Sequence, residues 1–281
     1  MAINHFIPTV WSESLHQALE SRYVGVANCN REYEGEIKNC GAVVKICGVG
    51  SVNVGDYTKN TDMNSPQALS DTVCELTIDQ AKYFNFQIDD IDRAQCTPKL
   101  MDAAMKVAAS SLASAADRYV YSLYEGHENT IAVHDLHADS SDIFPYLVKA
   151  RERLYNGNVY DDTEVVLEVS PKIASIIFKN KLDLSSSNGE LLETGCIGSI
   201  MGFKVFVSNG VAVDPIASDQ NVHHCFLRTK RAIAFAEQLS EIEAYRPEQR
   251  FADAVKGLHL YGAKIVYPEE LVVLDLYVYT E

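Results

Sequence analysis

The chain has 281 residues, 47% of them hydrophobic, and a formal net charge of −15. That length and apolar share support a true core in one large or two modest domains and exclude wholesale disorder. Lys plus Arg number 24 against 39 Asp plus Glu, with no basic run, which disfavours a dedicated reader of nucleic acid.

Cys29, Cys40, Cys47, Cys74, Cys96, Cys196 and Cys225 are odd in number and form no CxxC, so reduced thiols of a cytosolic compartment are expected. The opening Met-Ala-Ile-Asn-His-Phe lacks the basic and apolar regions of a secretory signal. No apolar run approaches the roughly 18–20 residues of a membrane span.

In chain order, residues 8–22 read as a short amphipathic helix. Pro8 suits its first turn, and Trp11, Leu15 and Leu19 share one face. Residues 42–47 form a strand. Residues 48–71, rich in Gly, Asp and Asn, form a long polar loop, a type usually functional. Residues 72–88 alternate with period two: Cys74, Leu76, Ile78, Phe84, Phe86 and Ile88 on one parity, Glu75, Thr77, Asp79, Tyr83, Asn85 and Gln87 on the other. That predicts one strand with one buried face, roughly 55 Å long at about 3.3 Å per residue. Ordinary strands run about 3–10 residues. The expectation is therefore a projecting arm, partly covered by another chain.

Thr97 and Pro98 predict the start of a long helix, with Leu100, Ala104, Ala108, Leu112, Ala115, Tyr119 and Leu123 on its core face and Gly126 as its stop. A second helix is expected over 142–156, with Phe144, Leu147, Val148, Leu154 and Tyr155 inside. Then come a strand at 164–169, a short helix from Ser170-Pro171 to Lys179, and a mobile Ser/Gly/Glu-rich stretch at 183–198. Strands follow near 203–208, 223–228 and 231–237, with Asn209-Gly210 as a turn signal. Two more strands flank Pro268. The class is α+β.

Chemistry finds little support. His134-x-x-His137 lacks a third ligand at a standard metal spacing. His223-His224-Cys225 lies on a strand, where neighbours point to opposite faces. Asp89-Asp90-Ile91-Asp92 has no companion motif. Glycine patterns for dinucleotides, phosphates or a nucleophile elbow are missing. No catalytic, cofactor-binding or metal-binding residue is assigned, no cofactor is expected, and the chain is not read as an enzyme.

Several segments, in order, resemble the major capsid proteins of tailed bacteriophages, which have the Hong Kong 97-type shell fold. They are Asn4-His-Phe-Ile-Pro-Thr-Val-Trp11, the stretch Tyr33 to Ile46, Asp56-Tyr-Thr-Lys-Asn60, Leu76 to Asp90, Pro98 to Tyr124, Gly202 to Asn209, and Phe251 to Lys264. The resemblance implies an N-terminal arm over 1–41 and an extended β-hairpin loop over 42–88. It further implies a peripheral domain over 89–160 plus 245–281, holding the long spine helix, and an axial domain over 161–244. Contacts between subunits are expected at Trp11, Asp56, Tyr57, Lys59, Phe84 and Phe86.

The implied function is a coat protein whose pentamers and hexamers tile an icosahedral head around double-stranded DNA, without sequence-specific binding. Implied partners are further copies of the chain, a separate scaffolding protein, a portal and decoration proteins, but no membrane. The implied location is the virion, assembled in the bacterial host cytoplasm. The Lys–Asn crosslinks of some relatives are not matched by residues here. The alternatives are an encapsulin-like protein nanocompartment of the same fold, a metal-dependent enzyme using His134 and His137, and a tail or connector protein.

Overall fold

The computed structural model describes residues 15, 17–33, 42–49, 56, 59, 62, 71–89, 100–136, 143–159, 164–179, 196–217 and 220–279. Its first strands are β1 (Val43–Val49), β2 (Asp71–Thr77) and β3 (Gln80–Asp89). The expected single strand over 72–88 is therefore two, broken at Ile78-Asp79. Parity survives the break: Cys74, Leu76, Ile78, Phe84, Phe86 and Ile88 all lie inward of their exposed neighbours. The two halves serve different sheets. β2 pairs antiparallel with β1, whereas β3 pairs antiparallel with β11 (Ala252–Ile265). A projecting arm of about 55 Å is thus corrected to a hairpin plus a strand held by its own chain.

β11 is the centre of a three-stranded sheet, with β3 on one side and β10 (Ile233–Tyr245) on the other. One face of this sheet receives the helix α1 (Leu100–Tyr121), and the other receives the foot of the β1–β2 hairpin. The α1 core stripe is displaced from the expected one. Met105, Ala109, Leu112, Ala113, Ala116 and Val120 are buried, while Ala104, Ala108, Ala115 and Tyr119 flank them. With Ala and Ser filling the middle of the helix, side-chain size does not mark the face, and a one-residue shift leaves the pattern nearly unchanged. After a 3-10 turn at Ser122–Tyr124, Gly126 (φ +78) ends the helix as expected. The cap at Thr97 and Pro98 lies outside the described residues.

The second sheet has the order β4-β12-β9-β5-β7-β6, with β8 also on β9. Its strands are β4 (Thr130–Leu136), β5 (Val165–Val169), β6 (Cys196–Ile200), β7 (Phe203–Val207), β8 (Val213–Ala217), β9 (Gln220–Thr229) and β12 (Leu271–Tyr279). β12 runs parallel to β4, and β5 to β7; the other pairings are antiparallel. The helix α2 (Phe144–Asn156) packs on β12 and β4, and α3 (Pro171–Lys179) follows β5. α2 buries Leu147, Ala150 and Leu154, whereas Val148 and Tyr155, expected inside, face solvent.

β6 and β7 are joined by a tight turn at Met201-Gly202. Both Met201 (φ 52) and Gly202 (φ 84) have the positive φ that a two-residue type I′ turn demands. Arg151 donates to the Met201 carbonyl and lies over the Phe203 ring at 5.2 Å, which pins the turn. Asn209-Gly210 is a turn, as expected; it joins β7 to β8, which pair with different strands. The stretch 183–198 lies outside the described residues up to 195, and its end forms β6. No helix among the described residues is long and apolar enough to cross a membrane.

Candidate assembly surface

The β1–β2 hairpin is amphipathic across its width. Val44, Ile46, Leu76 and Ile78 pack on Ala234, Ala236 and Leu260 of the three-stranded sheet. Val43 and Val73 on the opposite face are nearly half exposed. The cross-strand pair Lys45–Glu75 is open to water, with 4.0 Å between charged atoms. Such a pair contributes about 0–1 kcal/mol, so the apolar footing rather than the charge holds the hairpin down. Its base is closed by the Ile78 N–H donating to the Ala42 carbonyl at 3.0 Å. Asp56 and Lys59, beyond the strand ends, are exposed. Trp11 and Tyr57, expected contacts as well, lie outside the described residues.

Phe84 and Phe86 stack on each other with centroids 6.0 Å apart and sit half-buried against the main core. They support β3 from beneath. The exposed face of this sheet carries Tyr83, 79% exposed, directly across from Leu258, and Phe251, 85% exposed, near the turn between β10 and β11. Tyr83 and Leu258 are neighbours in the open, whereas Phe251 lies at the far end of the strand pair.

Behind this surface, buried polar groups fasten the N-terminal segment. The Arg228 guanidinium, fully buried, donates to both Glu168 carboxylate oxygens (2.9 and 3.0 Å), to the Asn28 carbonyl (2.6 Å) and to the Gly25 carbonyl (2.8 Å). The Asn28 side chain donates to Glu168 at 2.9 Å. Asp117 on α1 accepts the N–H groups of Val24 (3.1 Å) and Val26 (2.9 Å). Burial pushes its carboxyl up to about 6, against the pull of those two donors. On the other side of the segment, Glu237 accepts from Tyr23, from Arg31 at 2.6 Å and from His259 at 2.8 Å. Burial pushes this carboxyl up, but the His259 and Tyr23 bonds outweigh it and hold the group below its ordinary value. Sequence spacing gave no hint of these partners, which lie far apart along the chain.

The histidines fall into separate environments. His223 and His224 point to opposite sides of β9, as expected of strand neighbours. His223 meets the Ser170 hydroxyl at 2.8 Å, and His224 meets Asp275 at 2.6 Å and Asp214 at 3.3 Å. His134 is exposed with its ring against Tyr277 at 4.3 Å, and His137 lies outside the described residues. No group of three metal-binding side chains occurs among the described residues.

Burial, then the neighbouring His224, lowers His223 from 6.5 to about 4. Between those values the unfolded chain takes up a proton that the folded chain refuses. Stability should therefore fall as pH drops through this window, by on the order of 2–3 kcal/mol, and be unaffected by this group above it. Asp117, with a raised folded value, acts in the opposite sense. The test is accordingly a difference: the urea midpoint of His223→Gln should lose less than that of the parent between pH 7 and pH 4.5. Parallel losses would refute the assignment.

No protein-family model matches the chain, and no curated protein sequence does. Solved structures do. A capsid structure from the cyanophage P-SCSP1u is 12% identical, covers 90% of this chain and 87% of its own, and has a TM-score of 0.63, which shows the fold. A structure from Mycobacterium phage Che8 is 30% identical, covers 90% of both chains and has a TM-score of 0.65. The chain belongs to the bacteriophage major capsid proteins. A virus-like particle from Pyrococcus furiosus shares the fold more distantly, at 10% identity and a TM-score of 0.55, over 96% of this chain and 99% of its own. As a phage capsid protein, the chain is a component of the virion.

Proposed function

We propose that this capsid protein forms the pentamers and hexamers of an icosahedral head that encloses the double-stranded DNA of a tailed bacteriophage. The observation that carries this reading is the β1–β2 hairpin, footed on its own sheet yet exposed along its outer face. With residues 50–70 it acts as the extended loop that lies across a neighbouring subunit. The helix α1 serves as the spine of a peripheral unit built on the three-stranded sheet. The seven-stranded sheet with α2 and α3 forms the axial unit; this grouping moves β4, α2 and β12 out of the peripheral domain expected over 89–160 plus 245–281, and β10 out of the axial domain expected over 161–244. Trp11, Asp56, Tyr57 and Lys59 make contacts between copies, joined by Tyr83. Each interface of ordinary size buries about 1,600 Å², and several weak contacts per subunit add to a strong closed shell.

The role is structural rather than catalytic. Scaffolding, portal and decoration proteins are the partner classes such a head requires, and assembly takes place in the host cytoplasm. A net charge of −15 favours a lining that does not grip the packaged DNA.

Negative-stain electron microscopy of the expressed chain, with and without residues 50–70, tests the reading. Closed particles are expected from the full chain and loose rings or monomers from the deletion. Unchanged particles after the deletion would remove the loop from assembly. The fold shared with the Pyrococcus furiosus particle supports a second reading, a protein-filled nanocompartment. Particles purified after nuclease treatment that hold protein cargo and no DNA would favour it.

A further inference from the structure

The hairpin and β3 are joined by only two residues, Ile78 and Asp79, which belong to neither strand. A joint this short sets the direction of the whole arm. From it to the ends of β1 and β2 is roughly 23 Å at about 3.3 Å per residue. A tilt of about 10° at the joint therefore moves the strand ends by roughly 4 Å, enough to miss a complementary surface.

Three features restrain the joint. The Ile78 N–H is bonded to Ala42 across the hairpin base. Gly262 of β11 passes directly beneath, where a Cβ would lie 2.2 Å from the Thr77 carbonyl oxygen. On the open side, Tyr119 of α1 donates its hydroxyl to Asp79 Oδ1 at 2.8 Å. The Tyr119 ring is held edge-on against Tyr261, with centroids 5.5 Å apart. Asp79 is exposed, so the bond does not rescue a buried charge. Its effect is directional: it ties the corner between two sheets to the long helix.

We propose that Tyr119 and Asp79 are positioning residues that fix the exit angle of the hairpin and thereby the curvature of the shell. The proposal rests on the shell reading above. Burial, then the hydrogen bond to Asp79, raises the Tyr119 hydroxyl, so it remains a donor throughout the working range.

The test compares full-length Tyr119→Phe, Asp79→Ala and Asp79→Asn with the parent. Thermal melting should be nearly unchanged in all three. Hydrogen exchange in 43–49 and 71–77 should be about 5–10-fold faster in Tyr119→Phe and Asp79→Ala, with β9 and β12 unaffected. Both variants should give particles of mixed diameter. Asp79→Asn keeps an acceptor and should restore the single diameter and the slow exchange. Parental exchange and diameter in Tyr119→Phe and Asp79→Ala would overturn the proposal, as would a uniform loss of stability across the fold. If the parent itself forms no closed particles, the shell reading fails, and the exchange measurements still judge the latch.

Discussion

Arg228→Ala is expected to cost the subunit about 3–5 kcal/mol. Arg228 and Glu168 are both fully buried and joined through two hydrogen bonds. Truncating the arginine leaves the Glu168 charge in the interior with the Asn28 amide as its remaining described donor. It also takes the described donor from the Asn28 carbonyl and one of three from the Gly25 carbonyl, which keeps the Asn28 N–H at 3.2 Å and the Cys29 thiol at 3.3 Å. Desolvated charge and orphaned backbone both carry penalties. Replacing both partners by apolar side chains of similar volume, as in Arg228→Met with Glu168→Leu, removes the lone charge and should recover much of the loss. Recovery should be incomplete, because the Asn28 carbonyl stays unserved and residues 25–28 keep only the described Asp117 anchor at Val26. Urea unfolding at pH 7 reads both effects. A single-variant loss below about 1 kcal/mol would contradict the account.

Gly262→Ala should detach the hairpin while leaving most of the fold intact. The added Cβ meets the Thr77 carbonyl oxygen at 2.2 Å, the Thr77 carbonyl carbon at 3.0 Å and the Ile78 Cα at 3.1 Å. These are backbone atoms, so no rotamer change relieves the contact. Either β11 bends or the joint lifts, and the joint has fewer contacts to lose. Overpacking of this kind costs about 1–3 kcal/mol. Leu76 and Ile78 should then leave Leu260 and Ala236, which hydrogen exchange in 71–77 will register, and closed particles should be lost. Gly126→Ala is a useful contrast. Its Cβ meets nothing within 4 Å, but φ is +78, so its cost of about 1–2 kcal/mol is conformational and local. Particles should survive it. If Gly262→Ala assembles normally, the hairpin does not depend on this close passage.

The strand pattern was legible and its corner was not, for the same reason. Cys74 to Ile88 keep one inward parity through Ile78-Asp79 because both sheets bury that face. The clue lay in Gln80 and Lys82, polar residues on the apolar parity, which mark where the chain changes sheets. The long helix was clear from its length and Gly126, but its Ala/Ser middle hid which face is buried. Asp117 breaks that small-residue run, and it proved to cap the loop at Val24 and Val26. Glu168 and Arg228 each stand as a charge inside an apolar strand. That signal was readable as a buried charge in need of a partner. Which partner answers it is fixed by sheet order, which local periodicity does not encode. The Glu237 cluster was hidden likewise, since Tyr23, Arg31 and His259 converge on it from both ends of the chain. The order within the seven-stranded sheet escaped as well: β12 lies between β9 and β4 although α2 and other elements separate them in sequence.

The pairing of β3 with β11 also bears on when the subunit can begin to assemble. Gln80 pairs with Tyr261, and Asp89 with Ala252, so β3 waits for a partner on the order of 170 residues downstream. At about 5–20 residues per second, translation leaves that edge and its phenylalanines open for roughly 10–30 s. β4 waits in the same way for β12. A nascent subunit is thus an unfinished sheet whose open edge invites pairing with the wrong chain. Synthesis of β11 and β12 acts as a timer, which delays competent surfaces until those strands have been made.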